Sequence, residues 1–270
     1  LGREEFIKRV WTWKEKHGGI ITSQLKKLGC SCDWTRERFT MDPDYVRCVQ
    51  RVFVDLYKKG LIYRGKRMVN WCPVSQTGLS DEEVIMKPSK GSLFKMRYEV
   101  VEHPGTFLEI STTRPETIPG DSAVAVHPED ERYRALVGRH VLIPFVDRPV
   151  PIIADEVVDR AFGTGAVKIT PAHDHDDHAT GKRHGLASID LLEDDGRLNA
   201  NAARFAGLDR AEARREIVGQ LELAGDLVET KAHEMVIGRC QRSNDVIEPR
   251  LKTQWFIRTT PLAEAALAAT

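Results

Sequence analysis

The sequence predicts a mixed α/β (α+β) fold in which a barrel-like, β-rich unit with peripheral helices occupies the middle of the chain. Three observations lead to this prediction. Apolar residues recur at helical spacing over the first 60 positions, short alternating segments separated by turn residues follow from Leu93, and an extended pattern returns after Val228. We therefore expect three parts, 1–87, 88–233 and 234–270, with the middle part inserted between two halves of another domain.

The first part is expected to contain helices followed by a strand. Asp42-Pro43 is a strong helix start, because proline at the first helical position has no N–H to leave unpaired, and an apolar face follows it. Glycines are expected to end the helices. The predicted segments are a helix over 3–16 closed by Gly18-Gly19, a short helix over Thr22–Leu28, a helix over Asp42–Lys59, and extended structure over Leu61–Trp71.

The middle part begins where the character of the chain changes. Lys87–Ser92 is rich in turn-forming residues and predicts a linker or hinge. Short strands with frequent turns follow, as in a small barrel or sandwich. The predicted strands are Leu93–Val101, Thr106–Thr112, Ser122–Val126, His140–Pro144 and Val150–Ile153, and helices are predicted near 129–137, 176–184 and 209–224.

Composition narrows the class of protein. The 270 residues include 40 basic and 40 acidic side chains, so no overall charge indicates a nucleic-acid partner. Five scattered cysteines do not form a disulfide framework, which favours a reducing, cytoplasmic setting. No apolar run approaches the roughly 20 residues of a membrane span. Because the sequence starts at Leu1 and ends in an alanine-rich stretch, we expect a fragment of a longer protein.

The most informative stretch is residues 163–186. An alternating run, Ala166–Thr170, suits a strand, and Pro171 ends it just before six consecutive ionisable residues, 173–178. The strand therefore delivers titratable groups to one place, with Lys168 close by. A solvated loop or helix start explains the same residues about equally well, because carboxylates are favoured near a helix N-terminus.

Two further readings concern metals. His173, Asp174, Asp177 and His178 offer imidazole and carboxylate ligands, but adjacent charges make the geometry of a metal site untidy. Two cysteine pairs resemble zinc knuckles only in part. Each C-x-x-S segment, 72–75 and 240–243, has serine in the second ligand position, and Cys30 and Cys32 form a C-x-C pair. We expect all of these cysteines to be packed thiols without metal.

A second polar segment, 111–133, contains threonines around a single cation. Thr112, Thr113 and Thr117 surround Arg114, and this set suits a polar substrate with a phosphate or backbone to hold, or else a capped turn with a structural arginine.

Together these motifs resemble the valine-specific class I aminoacyl-tRNA synthetases. The matching phrases are LKKLGCSCDWTRERFTMD, LIYRGKRMVNWCP, TTRPET, GDSAVAVHPEDERY, GTGAVKITPAHD, GKRHGL and SNDVIEPRLKTQWF, and they cover nearly the whole chain in order. The resemblance implies a barrel-like editing domain inserted into a Rossmann catalytic domain. The His-Ile-Gly-His and Lys-Met-Ser-Lys-Ser motifs that bind ATP have no match, so ATP would be used only by the full-length enzyme.

The resemblance also implies an activity, an aminoacyl-tRNA deacylase that hydrolyses threonine from tRNA for valine without a cofactor. The partner would be the 3′ end of that tRNA, and the protein would be a monomer. The chain departs from the family pattern in two places, and both affect the details of the pocket. One is Pro119, and the other is the charged and imidazole set His175-Asp176 with His178. The implied catalytic residues are Asp177, Thr112 and Arg114, and the implied substrate-binding residues are Thr117, Lys168, Thr170 and Asp174.

Two alternatives stay open at this point. One is a metal-dependent hydrolase built on the four ligands named above, and the other is a tRNA-binding module without catalysis.

Overall fold

A computed structural model describes residues 1–270 and contains five α-helices and ten β-strands. The helices are α1 (Arg3–Lys27), α2 (Pro43–Lys58), α3 (His175–His184), α4 (Arg210–Ala224) and α5 (Thr260–Ala269). The strands are β1 (Ile62–Cys72), β2 (Thr77–Leu79), β3 (Val84–Glu99), β4 (Phe107–Thr112), β5 (Ala123–Val126), β6 (His140–Ile143), β7 (Arg148–Ala154), β8 (Ala166–Ile169), β9 (Leu227–Cys240) and β10 (Glu248–Ile257). They form two compact units, residues 1–63 with 257–270, and residues 64–256.

The first unit is helical. The prediction of two helices separated by Gly18-Gly19 is wrong, because α1 runs unbroken through both glycines to Lys27. Glycine inside a helix costs only about 1 kcal/mol relative to alanine, and the left-handed φ that follows the helix occurs later, at Gly29 (φ 80°). The helix α2 begins at Pro43 as predicted and ends before Gly60. No helix of the chain is both long and apolar enough to cross a membrane.

The second unit contains three sheets, with strand orders β10-β1-β2, β4-β3-β9 and β6-β7-β5-β8. The predicted α+β class is confirmed, and four of the five strands predicted in the middle part are present within about two residues of their expected bounds. The fifth, predicted as Leu93–Val101, begins much earlier, at Val84. None of the sheets closes on itself, so the barrel-like element of the prediction takes the form of small open sheets. Three or four strands are too few to close a barrel.

The predicted linker at Lys87–Ser92 is part of a long strand. Residues Val84–Met96 of β3 pair antiparallel with Leu227–Cys240 of β9, which forms a two-stranded ribbon. From Phe94 onward β3 also pairs with β4. Pro88 fits because this end of β3 has a neighbour on one side only, where a missing N–H is tolerated. The boundaries expected at 87 and 234 thus fall inside the ribbon.

The helices predicted at 176–184 and 209–224 are confirmed as α3 and α4, but the helix near 129–137 is absent. That segment is a series of turns, in which Tyr133 N–H bonds Asp130 C=O and Leu136 N–H bonds Tyr133 C=O. Arg132 also holds the Asp130 carboxylate by two side-chain bonds at 2.6 and 2.9 Å. These local bonds replace the helical i to i−4 pattern.

The main core of this unit lies between the β4-β3-β9 sheet, the β6-β7-β5-β8 sheet and α4. It contains Met96, Ile110, Val124 and Ile152 from the sheets, with Ile217 from α4 packed against them. Residues of β8 alternate between two clusters: Ala166 belongs to the main core, and Ile169 to a second cluster. This alternation sends Lys168 toward the same face as Ala166, where β8 meets the turn Pro115–Gly120.

Candidate functional site

One cavity of about 420 Å³ brings the predicted site residues together. The end of β4, the turn that follows it, the end of β8 and the start of α3 all reach it. The predicted residues that line it are Thr112, Arg114, Thr117, Lys168, Thr170, Asp174 and Asp177.

The glycine loop before β8 sets the position of that strand. Gly163 has φ 60°, and a Cβ there would lie 2.8 Å from the Ser111 side chain at the end of β4. Gly165 also has a left-handed φ, 77°. Any larger residue would be strained at both positions, and its Cβ would crowd β4 at Gly163 and the Arg132 side chain at Gly165. The Gly-Thr-Gly sequence therefore allows the two strands that carry the site to approach each other.

The floor of the cavity is a buried polar cluster formed by Thr117, Asp121, Lys168 and Thr170. The Lys168 ammonium donates to Thr117 Oγ1 at 2.7 Å, Asp121 Oδ1 at 3.0 Å and Thr170 Oγ1 at 2.5 Å. Thr170 Oγ1 donates to Asp121 Oδ1 at 2.6 Å, and Tyr98 donates its O–H to Asp121 Oδ2 at 2.8 Å. All three protons of Lys168 are thereby used inside the protein.

The bonds of the floor leave specific acceptors free. Thr117 donates its hydroxyl proton to the Arg114 carbonyl at 3.0 Å and accepts from Lys168, so one lone pair of Thr117 Oγ1 remains. The Thr170 oxygen is in the same state, since its proton goes to Asp121. Two hydroxyl oxygens therefore offer acceptors at a site that has no spare donor from Lys168. The floor suits a ligand that donates a hydrogen bond.

Burial sets the electrostatics of the floor. Desolvation raises the pKa of Asp121, while the Lys168 charge and the hydroxyls of Thr170 and Tyr98 act in the opposite direction. Desolvation and the neighbouring Asp121 charge raise the pKa of Tyr98 well above its ordinary value, so the phenol stays a donor. The exposed fraction is 6% for Lys168 and 0% for Asp121, so this pair depends on its internal partners.

The rim of the cavity is formed by the carboxylates of Asp174, Asp176 and Asp177 at the start of α3. Asp174 is the N-cap, and its Oδ1 accepts from the N–H groups of Asp176 at 2.9 Å and Asp177 at 3.1 Å. Asp177 Oδ2 accepts from Thr170 N–H at 2.8 Å, so the helix start is tied to the end of β8. Each of Asp174 and Asp177 keeps one oxygen without a protein donor.

Burial, with the Lys168 charge acting in the opposite direction, raises the pKa of Asp177 to about 6. The nearby Asp174 charge adds to the rise. Near neutral pH the Asp177 carboxyl is therefore ionised but held at a cost, which a cationic ligand would relieve.

Arg114 is held by protein groups on all three guanidinium nitrogens. Its Nε donates to Glu116 Oε1 at 3.1 Å, its Nη1 donates to the His173 carbonyl at 3.0 Å, and its Nη2 bonds Glu248. The backbone N–H of Arg114 donates to Thr112 Oγ1 at 3.0 Å. In this arrangement Arg114 joins the turn after β4 to the segment before α3. Its protein contacts are those of a group that shapes the cavity.

Two of the three histidines in residues 173–178 are engaged by backbone groups. His173 is buried, and its Nε2 accepts from the Leu191 N–H at 2.9 Å, while burial and the Arg114 charge lower its pKa to about 3. His178 Nδ1 lies 3.1 Å from the Pro171 carbonyl. No three His, Cys, Asp or Glu side chains of the chain are arranged to hold a metal ion. The structure therefore contradicts the four-ligand site required by the metal-dependent alternative.

The walls of the cavity are apolar and come from three elements. Phe162, in the loop before β8, makes an edge contact with His233 of β9, with ring centroids 6.0 Å apart. Leu93, Val157 and Met235 also line the cavity. The ribbon of β3 and β9 therefore forms one side of the site.

The cysteines divide into two groups. Cys72 and Cys240 are buried, as expected, and Cys72 Sγ lies 3.3 Å from Ser243 Oγ. Hydrogen bonds, chiefly from Ser243, lower the pKa of Cys240 to about 7. Cys30 and Cys32 are exposed, so the expectation that they are packed thiols is wrong.

The sequence interpretation missed Asp121, Tyr98 and Glu248. Asp121 stands in the GDSAVAV phrase and Glu248 in SNDVIEPRL, so both belong to recognised motifs. Neither carboxylate could be assigned its partner from the sequence, because the partners lie far away in the chain. Lys168 is 47 residues from Asp121, and Arg114 is 134 residues from Glu248.

The chain is similar to known proteins over its whole length. A profile of the family described as tRNA synthetases class I (I, L, M and V) matches residues 1–270. The valine–tRNA ligase of Syntrophotalea carbinolica is 53% identical over 271 residues, which are 100% of this chain and 30% of that protein. That of Geobacillus stearothermophilus is 53% identical over 267 residues, 99% of this chain and 30% of that protein. The chain thus spans about 30% of the length of these relatives.

Among solved structures, the chain is similar to an Agrobacterium radiobacter LeuRS in a ternary complex with tRNA and LeuAMS. The TM-score is 0.41 at 22% identity, over 80% of this chain and 35% of that one. A similarity of this size carries no argument about function.

Proposed function

The chain belongs to the class I aminoacyl-tRNA synthetases of the isoleucine, leucine, methionine and valine group, and from that premise we propose that it hydrolyses threonine from mischarged tRNA for valine. The valine specificity is supported by the valine–tRNA ligases at about half identity along the full chain. The proposed activity is that of an aminoacyl-tRNA deacylase acting after transfer. It is a property of residues 64–256, the compact unit that contains the cavity.

The need for such an activity follows from the size of the two amino acids. Threonine differs from valine by a hydroxyl in place of a methyl, and a hydrophobic pocket rejects such an isostere by only about a hundredfold. A second pocket built to bond the hydroxyl discriminates far better, because valine leaves buried polar groups unpaired.

The single observation that carries the proposal is the floor of the cavity. Its free acceptors are the remaining lone pairs of Thr117 Oγ1 and Thr170 Oγ1. Both hydroxyls donate their own protons to protein groups, and both already accept one bond from Lys168. A threonine side chain can donate its hydroxyl proton to either oxygen. A valine methyl group would displace water from the same oxygens and could not donate a hydrogen bond in its place. The floor therefore favours threonine over valine.

The rim supports recognition of the amino group. The ester of an amino acid carries an α-ammonium, and the free oxygens of Asp177 and Asp174 suit a charge-assisted bond to it. With the ammonium at the rim and the side chain on the floor, the ester carbonyl points toward the Thr112 end of the cavity. Thr112 Oγ1 accepts from Arg114 N–H, which leaves the Thr112 proton free to bond a carbonyl or a water.

An activated ester needs only a well-placed water for hydrolysis, so the proposal assigns no covalent nucleophile. Asp177, Thr112 and Arg114 are the catalytic group of the proposal, with Arg114 acting through the residues it positions. The apolar walls near Phe162 and His233 receive the terminal adenosine of the tRNA. No metal or cofactor takes part in the proposed step.

The longer protein to which this segment corresponds would charge tRNA for valine with ATP. That activity, a monomeric state and a cytoplasmic location belong to the proposal, with free cysteines in agreement with a reducing compartment.

The test is single-turnover deacylation of threonyl-tRNA and valyl-tRNA, both made on tRNA for valine, by the 270-residue chain with EDTA present. We expect rapid loss of threonine while valine is spared. Activity that disappears in EDTA and returns with added zinc or manganese would restore the metal-dependent alternative. Binding of the charged tRNA without loss of either amino acid would identify a binding module and overturn the proposal.

A further inference from the structure

Glu248 is a buried carboxylate that bridges two arginines beside the cavity. It is the first residue of β10 and is 4% exposed. Its Oε2 accepts from Arg114 Nη2, and its Oε1 accepts from Arg210 Nη1 at 2.8 Å. Glu248 does not line the cavity of about 420 Å³ but lines an adjoining one of about 730 Å³, and Arg114 and Asp174 line both.

Glu248 belongs to an alternating row of charges. Arg214 donates to both Glu116 oxygens at 2.9 Å, Glu116 accepts from Arg114 at 3.1 Å, and Arg114 and Arg210 both donate to Glu248. Each carboxylate has an arginine on either side. Removing one inner member would leave a buried charge without its counterpart, which is far more disruptive than losing an exposed pair.

The row meets the cavity at its central member, Arg114, which connects two walls of the cavity. On one side, the Arg114 backbone bonds the hydroxyls of Thr112 and Thr117. On the other, its guanidinium holds the His173 carbonyl, one residue before the Asp174 cap. The direction of the guanidinium therefore fixes the separation between Thr117 on the floor and the start of α3 on the rim.

We propose that Glu248 is a positioning residue for the hydrolytic cavity, which it orders by holding the Arg114 guanidinium between the turn after β4 and the segment before α3. The inference rests on the proposed deacylase function. It means that the site is not complete within 88–233. Glu248, from β10, holds the two walls of the cavity at a fixed separation.

The chain offers a matched control. Asp245 accepts from Arg210 Nη2 at 3.2 Å but makes no contact with Arg114. Asp245→Asn therefore perturbs the same row of charges without releasing Arg114. Glu248→Asp keeps the charge on a shorter side chain and serves as the conservative variant if Glu248→Gln does not fold.

The first measurement is single-turnover deacylation of threonyl-tRNA over a range of enzyme concentrations. For Glu248→Gln we expect the maximal rate constant to fall by about 10- to 100-fold, the size that misplacement by about 1 Å produces, while the concentration giving half-maximal rate changes by less than about threefold. Glu248→Asp should recover part of the rate, and Asp245→Asn should stay within about threefold of the parent. Equal losses in Asp245→Asn and Glu248→Gln would overturn the proposal.

The second measurement tests whether Glu248 acts through Arg114. In an Arg114→Lys background the guanidinium is absent, so Glu248→Gln should reduce the rate by less than about threefold. Full additivity of the two losses would show that Glu248 does not work through Arg114.

The third measurement does not depend on activity. Hydrogen exchange should become faster at residues 111–120 and 171–178 in Glu248→Gln, and not in Asp245→Asn. Unchanged exchange overturns the positioning role even if the parent chain is active. If the parent chain hydrolyses no ester but Glu248→Gln still exchanges faster than the parent, the positioning role is retained and only the proposed function is overturned.

Discussion

The floor and the rim of the cavity differ in where their charges are balanced. On the floor, Lys168 and Asp121 neutralise each other inside the protein, and Tyr98 and the two threonines take up the remaining bonds. At the rim, Asp174 and Asp177 accept hydrogen bonds from backbone N–H groups only and have no cationic side-chain partner. The difference shows that the floor is suited to a neutral hydroxyl and the rim to a cation.

The two regions should also fail in different ways. A change on the floor removes a partner of a buried ion and affects folding, whereas a change at the rim removes a group whose partner is the substrate. Four substitutions or conditions separate these outcomes.

The largest effect is expected from Asp121→Asn on the floor. The change leaves the buried Lys168 ammonium without its carboxylate, and breaking one side of a buried pair costs about 3–5 kcal/mol in the free energy of unfolding. Urea unfolding at neutral pH measures it. The control is Asp130→Asn, because Asp130 is also buried but pairs with Arg132, whose side chain is 55% exposed; a loss of equal size there would contradict the interpretation.

At the rim, Asp177→Asn should lower threonyl-tRNA deacylation by about 100-fold or more, since it removes one partner of a charge-assisted bond to the ammonium. The fold should be retained, because asparagine keeps an oxygen to accept from the Thr170 N–H. The control Glu131→Gln removes an exposed charge outside the cavity and should change the rate by less than about threefold. The idea fails if the two variants have similar rates.

Thr117→Val tests the floor as a source of selectivity. It deletes one acceptor for the substrate hydroxyl at nearly constant volume, and it also removes one partner of the buried Lys168 ammonium, so the variant should be less stable than the parent. The preference for threonyl- over valyl-tRNA should fall by about 5- to 10-fold, corresponding to one hydrogen bond. The control Thr164→Val removes a buried hydroxyl that bonds Ala166 outside the cavity. An unchanged preference in Thr117→Val would move hydroxyl recognition to another residue.

The smallest effect concerns pH. The folded pKa of Asp177, about 6, is above its ordinary value of 3.8, so between these values the folded chain binds more protons than the unfolded chain. The contribution of this group to stability is present at low pH and is lost as pH rises through 6, by about 1 kcal/mol for a partly buried group. Urea unfolding at pH 4 and pH 7.5 should show that Asp177→Asn removes this loss. Deacylation by the parent chain should also decline below about pH 6, as the carboxylate is protonated.

The sequence was sufficient to predict the helices and strands that carry the site. Alternation identified β8, and the Asp174 cap and Gly185 bound α3 closely to the predicted range. The motif residues then came together because they lie at the ends of neighbouring elements. Such positions are readable from sequence, since strand ends and caps have local signatures.

Features that depend on distant partners could not be predicted. The turn signals in Lys87–Ser92 are real, but pairing along β9 overrides them. Arg114 was assigned to the substrate because arginine often binds phosphate, whereas its guanidinium is engaged by Glu116, Glu248 and the His173 carbonyl. No local pattern indicates that a carboxylate on β10 will meet it.

The ribbon has a mechanical consequence. β3 is one continuous strand that pairs with both β4 and β9 over Phe94–Met96, while its earlier part has β9 alone as its neighbour. The paired length from Val84 to Met96 is about 40 Å at 3.4 Å per residue. The ribbon is held at both ends, by the sheet at Phe94–Met96 and by the packing of Val84 and Cys240 against Cys72 and Leu79. His233 and Met235 lie on the span between these supports, beside the cavity. A two-stranded span bends more easily than a sheet, so we expect flexing of the middle of the ribbon to change the width of the cavity on this side.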